Sequence, residues 1–167
     1  MKRVLEESGM QIPYQDEACY MIENSAAVAR LQGVKIVEFV QAKGKAKVVM
    51  VEAKTSAPQP ANKDDYDEYI KVIREKFQNS ISLLNAARLN RQVVIYEELP
   101  QPLKEVDYKN TNYLLYFIIK ESKDDWIMNL SNDLHQQLHP FLKCWNIPDN
   151  NFVVANEGMA KKLGVVE

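Results

Sequence analysis

Two carboxylates and one ammonium stand out for what they could do together. Glu52 and Lys54 close an apolar run, Lys47-Val-Val-Met-Val-Glu-Ala-Lys54, and Glu38 lies fourteen residues before Glu52. On a strand, residues two apart share a face, so Glu52 and Lys54 point the same way. Two neighbouring carboxylates repel, and a divalent cation between them relieves the repulsion. Oxygen donors suit Mg²⁺ or Mn²⁺, which keep waters and take phosphate oxygens as further ligands. An ammonium beside such a metal can orient or deprotonate the attacking water and offset charge growing on phosphorus. The chemistry on offer is phosphodiester hydrolysis.

Glu38 joins the other two only in one register. The runs Val34–Val40 and Lys47–Lys54 read as the arms of a hairpin around Ala42-Lys-Gly-Lys-Ala46. If paired residue numbers sum to an even value, all three side chains share one face; a two-residue turn at Lys43-Gly44 puts Glu38 on the other. A three- or five-residue loop, or a bulge, is therefore required. Gly44 permits it.

Other elements must hold this hairpin. Asp16–Gln32, Ala-rich and stopped by Gly33, predicts a first helix bearing Glu23. Val48–Val51, four apolar residues in succession, suits a central strand buried on both faces. Two prolines in Thr55–Ala61 end that strand. Tyr66, Ile70, Ile73, Phe77, Ile81 and Leu84 then form one apolar stripe, predicting a helix of about 25 residues capped by Asn62. Further on, Val93–Tyr96 reads as a short strand and 97–109 as a Pro-containing connection. Tyr113–Lys120 reads as a buried strand, and Asp125–Leu138 as a helix kinked or ended by Pro140. Asn151–Ala155 is a last strand and Glu157–Leu163 a last helical turn or two. Strands alternating with helices after an early hairpin predict an α/β fold, a mixed central sheet flanked by helices.

A helix, a hairpin with an acid in one strand, Glu-x-Lys closing the next, a long helix and another strand together resemble the PD-(D/E)xK nuclease superfamily, the restriction-endonuclease-like fold. The resemblance spans about residues 16–120. It implies that Glu38 takes the first acid's place, Glu52 the second acid's and Lys54 the lysine's, around Mg²⁺ or Mn²⁺. By the same resemblance Glu23 is a third metal carboxylate, and Gln78 is similar to a glutamine some members carry on the long helix. The first acid is Glu where the family usually has Asp, and no Pro precedes it. One clear strand precedes Glu-x-Lys where the family core has two; residues 10–22 are the segment that could supply another. The implied function is metal-dependent hydrolysis of DNA. The alternative is a non-catalytic binding or scaffold module of the same fold.

Composition bounds the rest. The chain has 167 residues, 46% hydrophobic and 26% charged, which fits one domain with a core at about 16–120 and an α/β extension at about 121–167. Two cysteines are too few for a disulfide scaffold, and no apolar run is long enough for a membrane span. An acidic turn soon after the N-terminus argues against a signal peptide, so a cytoplasmic location is expected. Net charge is −2, which excludes a polybasic binder, yet residues 35–54 carry five lysines against two glutamates. Lys43, Lys45 and Lys47 at the hairpin tip are therefore candidate phosphate contacts, or simply a solvated loop. His135 and His139 have zinc spacing, but Gln136 stands where a metalloprotease needs its Glu, so a polar helix face is expected. Scattered glycines exclude a phosphate-binding loop. Trp126, Phe141, Trp145, Ile147 and Phe152 either cover the sheet or form a homodimer interface.

Overall fold

A computed structural model describes residues 1–167. The chain opens with a hairpin, β1 (Lys2–Glu7) and β2 (Met10–Gln15), closed by Ser8 and Gly9, both at positive φ. Such a two-residue turn matches the strands' own twist, and Ser-Gly between alternating residues is its local signal. The expected first helix is absent. Asp16–Gln32 divides into a 3-10 turn at Asp16–Ala18, strand β3 (Cys19–Tyr20), a second 3-10 turn at Ile22–Asn24 and a single helical turn, α1 (Ala26–Ala29). Helical propensity loses here to pairing of Cys19 and Tyr20 with Gln41 and Val40, and α1 starts where Ser25 Oγ accepts the Val28 N–H at 3.1 Å.

The remaining strands are β4 (Phe39–Ala42), β5 (Lys47–Lys54), β6 (Asn112–Ile119) and β7 (Phe152–Asn156). The mixed sheet runs β3-β4-β5-β6-β7, antiparallel as far as β5 and parallel beyond it. Val34–Val37, expected to extend β4, stays outside the ladder. Its backbone is satisfied by the long helix instead: Val37 N–H donates to Ser80 Oγ at 3.0 Å, and Asn79 Nδ2 donates to the Lys35 carbonyl at 2.9 Å.

The helices are α2 (Lys63–Arg88), α3 (Val93–Glu98), α4 (Gln101–Glu105), α5 (Asp124–Cys144) and α6 (Glu157–Lys162). The apolar stripe of α2 is buried as expected, with Ile73, Phe77 and Ile81 fully enclosed. Each such side chain is worth about 1.5–3 kcal/mol of burial. Asn62 precedes α2 without a side-chain cap; its amide nitrogen donates to the Asp65 carboxylate. Val93–Tyr96 is helical, not a strand. It buries only Ile95 and leaves Val93 and Val94 exposed, so no sheet partner competes for its backbone. Pro140 does not end α5, since Leu134, Leu138 and Leu142 are all fully buried and hold both halves in one line.

Alternation along β5 sorts the core into two layers. Val48 and Met50 face α2 and α5, together with Leu115, Phe117 and Phe152. Val49, Val51 and Ala53 face the other way, against Met10 and Ile12 of the β1–β2 hairpin and Ala160 of α6. Because β7 is the edge strand of the same sheet, residues 121–167 complete the core that the first 120 begin. No helix is long and apolar enough to cross a membrane.

Candidate active site

The β4–β5 register settles where Glu38 goes. Phe39 faces Val51 and Val40 faces Met50, an even sum, and Lys43 N–H bonds the Lys47 carbonyl across a three-residue loop. Gly44, at φ +68, supplies the left-handed residue this loop needs. Glu38 therefore lies on the α2 face with Glu52 and Lys54. At Glu38 the ladder becomes irregular. Its N–H donates to Val51, one residue short of the partner the register assigns it. Bulges of this kind re-aim side chains beside active sites.

The side chains converge. Lys54 Nζ stands 2.7 Å from Glu52 Oε1 and 3.8 Å from Glu38 Oε1. From α2, Lys76 Nζ reaches the same Glu52 Oε1 at 2.8 Å and Glu23 Oε1 at 3.5 Å. Glu23, on the Ile22–Asn24 turn, is tied to the strand through its N–H on the Glu38 carbonyl. Glu52 is wholly buried, Glu38 and Lys76 are buried, and Lys54 is partly exposed. The cluster sits at the carboxyl end of β5, where the sheet changes from antiparallel to parallel. In open α/β sheets ligands collect at such ends.

Burial shapes the charges. Desolvation, a hydrogen bond with Glu23 and the nearby Glu52, Glu23 and Glu7 charges push Glu38 up to about 9. It thus holds a proton at neutral pH and shares it with Glu23, whose own value that bond lowers. Burial also raises Glu52, against the downward pull of the Lys76 and Lys54 ammoniums. For Lys54 burial works downward, but Glu52, Glu38 and Glu23 together carry it above its ordinary value. Lys54 is accordingly a fixed cation, not a base. Glu52 Oε1 has two close ammoniums but no hydrogen bond of good geometry, and its Oε2 has no partner at all. A buried carboxylate oxygen without a donor is costly until a cation or a proton meets it.

The donors fit a metal held in part by the protein. No cluster of three or more His, Cys, Asp or Glu residues is arranged to hold an ion, so Glu23, Glu38 and Glu52 form no ready cage. Mg²⁺, however, is commonly bound by one or two carboxylates with waters and substrate phosphates. Glu38 and Glu52, with the free Oε2, meet that requirement.

Other expected residues lie elsewhere. Lys43, Lys45 and Lys47 are exposed at the opposite end of the sheet, so they do not flank the cluster. Lys47 alone is five residues, roughly 16 Å, from Glu52 along β5. Gln78 is two residues past Lys76, so α2 turns it to another side, and it makes no hydrogen bond to the cluster. His135 Nδ1 meets the Ser131 carbonyl at 2.7 Å, and His139 Nδ1 the Asp149 carboxylate at 2.9 Å, a polar helix face as expected. Sequence reasoning missed Lys76. Its signal was there: a lysine beside Ile73 and Phe77, within the apolar side of an otherwise amphipathic helix.

Two clefts open onto the cluster. One, of about 270 Å³, is lined by Glu23 and Lys76 with residues 28, 29 and 31–36. The other, of about 290 Å³, is lined by Lys54 with Tyr69, Ile73, Asp65 and Glu68. The chain matches no family model, no curated protein and no solved structure.

Proposed function

We propose that this protein is a metal-dependent phosphodiesterase acting on DNA, a nuclease-like domain of the PD-(D/E)xK type. One observation carries the reading: Glu38, Glu52 and Lys54 meet at a single strand end, across a hairpin whose register could have separated them. Strands β3 and β4 ahead of the Glu-x-Lys strand also supply the pair that the resemblance calls for.

Each residue has a task in this reading. Glu52 presents its free Oε2 and Glu38 a carboxyl that gives up its proton when a cation arrives. Lys76 fixes Glu52 from α2 and offsets its charge. Lys54, partly exposed and permanently charged, donates to a phosphate oxygen as negative charge grows there. A bound Mg²⁺ or Mn²⁺ would supply an activated water and a second charge on the phosphate.

The test is cleavage of plasmid and single-stranded DNA with Mg²⁺ or Mn²⁺, wild type against Lys54→Ala. Cleavage that needs the metal and falls about 100-fold in the variant is expected. No cleavage with either metal sinks the reading.

A second reading, a non-catalytic binding or scaffold module, draws on Glu52 being neutralised by Lys54 and Lys76 without any metal. Homodimerisation, which cutting both strands of a duplex favours, rests on the exposed Trp126 and Trp145; Ile147 and Phe152 lie in the chain's own core.

A further inference from the structure

The acids of the cluster are recessed. Glu52 is 0% and Glu38 5% exposed, so a phosphate approaches them only through the clefts lined by Glu23 and Lys76 or by Lys54, which an unpaired strand enters more readily than one held in a stacked duplex. The surroundings also repel a duplex, whose phosphates carry one negative charge per about 1.7 Å. Asp65 and Glu68 border the cleft on the Lys54 side. Lys35, which lines the neighbouring cleft, is engaged by Glu75 at 3.0 Å and Glu68 at 3.9 Å. The basic hairpin tip is at the far end of the sheet.

The other cleft has a different character. Val28, Leu31, Val34 and Ile36 line it with the polar Gln32 and Lys35, and the exposed Glu23 and buried Lys76 join it to the cluster. Gly33, at φ +82, supplies the left-handed residue in the loop that lines it. At about 270 Å³ it falls just below the usual ligand-pocket range of roughly 300–1,000 Å³. That is room for one small unit, not for a double helix. Enzymes acting on an unpaired base seat it in such a pocket, paying least when the strand is already single.

We infer that this cleft, between α1, residues 31–36 and α2, receives one unpaired nucleotide of a single-stranded nucleic acid. The base lies against Val28, Leu31, Val34 and Ile36, and the adjoining phosphate reaches Lys76 and the Glu38–Glu52 pair. The inference rests on reading the cluster as a phosphodiester site, and it narrows that reading from DNA in general to unpaired strands.

Fluorescence anisotropy tests it, with Ca²⁺ replacing Mg²⁺. The probes are a short labelled single-stranded DNA, its duplex and the single-stranded RNA of the same sequence. The variant is Val34→Trp, which fills the cleft from a position already 38% exposed and so spares the core. Met128→Trp, on the exposed face of α5, is the control. Wild type should bind single strands at least about tenfold tighter than duplex. Val34→Trp should lose about tenfold and Met128→Trp nothing. The RNA reads the sugar: equal affinity assigns the cleft to any single strand, and weaker RNA binding assigns it to DNA. Equal or tighter duplex binding, no single-strand binding, or an unaltered Val34→Trp overturns the inference. Cleavage measured alongside keeps the two ideas separate. Single-strand binding lost in Val34→Trp but without cleavage upholds the cleft and sinks the nuclease; cleavage preferring duplex does the reverse.

Discussion

Glu38 is the residue whose ionisation the fold opposes most visibly. Its carboxyl is pushed from 4.5 to about 9 by burial, Glu23 and Glu52. A raised acid binds protons more tightly folded than unfolded, so its contribution is complete below about pH 4.5 and is lost as pH rises toward 9. Glu38→Gln abolishes that loss. Urea melts should show the variant gaining on wild type as pH rises, by on the order of 2 kcal/mol near pH 8.5, with little difference near pH 5. Equal pH profiles would show that Glu38 ionises freely. Metal should act in the same direction as the variant: Mg²⁺ replaces the shared proton, so its affinity should climb with pH in wild type. Titration calorimetry in buffers of different ionisation heat would detect the released proton. Tight zinc binding lost in His135→Ala would instead move the metal to the histidine pair on α5.

At the scale of elements, the contact between α2 and β5 is polar at the site and apolar elsewhere. Lys76 connects them through Glu52, with Phe77, Ile73 and Ile81 packed around it. Removing one member of a buried pair leaves an uncompensated charge, at a cost of about 3–5 kcal/mol. Lys54 still faces Glu52, so Lys76→Met should lie at the low end of that range. Glu52→Gln in the same chain should restore much of the loss, which chemical denaturation of the two variants would measure. A double variant as unstable as Lys76→Met alone would mean the lysine acts through packing. The segment 34–37 gives an independent case. Its link to α2 is the Val37 N–H on the fully buried Ser80 hydroxyl, and Ser80→Ala should cost about 1–3 kcal/mol by stranding that donor.

For the whole molecule, one sheet with α2 and α5 on one face and the β1–β2 hairpin and α6 on the other makes a single body around one cluster. Assembly and substrate are then linked. A single-stranded substrate needs only one cluster, and three of the five large C-terminal apolar side chains considered for an interface are at least partly buried: Ile147 and Phe152 in the core, Phe141 against it. Light scattering at micromolar concentration should therefore return a mass near 19.3 kDa. Twice that mass would put Trp126 and Trp145 at an interface and favour paired cutting of a duplex.

Sequence alone determined that Glu52 and Lys54 share a face, because strand geometry has a period of two, and that α2 is one long helix, because its stripe repeats over about five turns. It narrowed Glu38 to two outcomes, and the three-residue loop at Gly44 chose between them. It misread Asp16–Gln32 and Val93–Tyr96, where local propensity was weak and the outcome depended on whether a sheet edge was available: β4 paired Cys19 and Tyr20, while nothing pairs Val93 and Val94. Lys76 stood out as a lysine on an apolar stripe, but its role needed the tertiary structure. Its partner is 24 residues away across a helix–sheet contact, and only the docking of α2 on β5 brings its ammonium to a carboxylate that burial would otherwise neutralise.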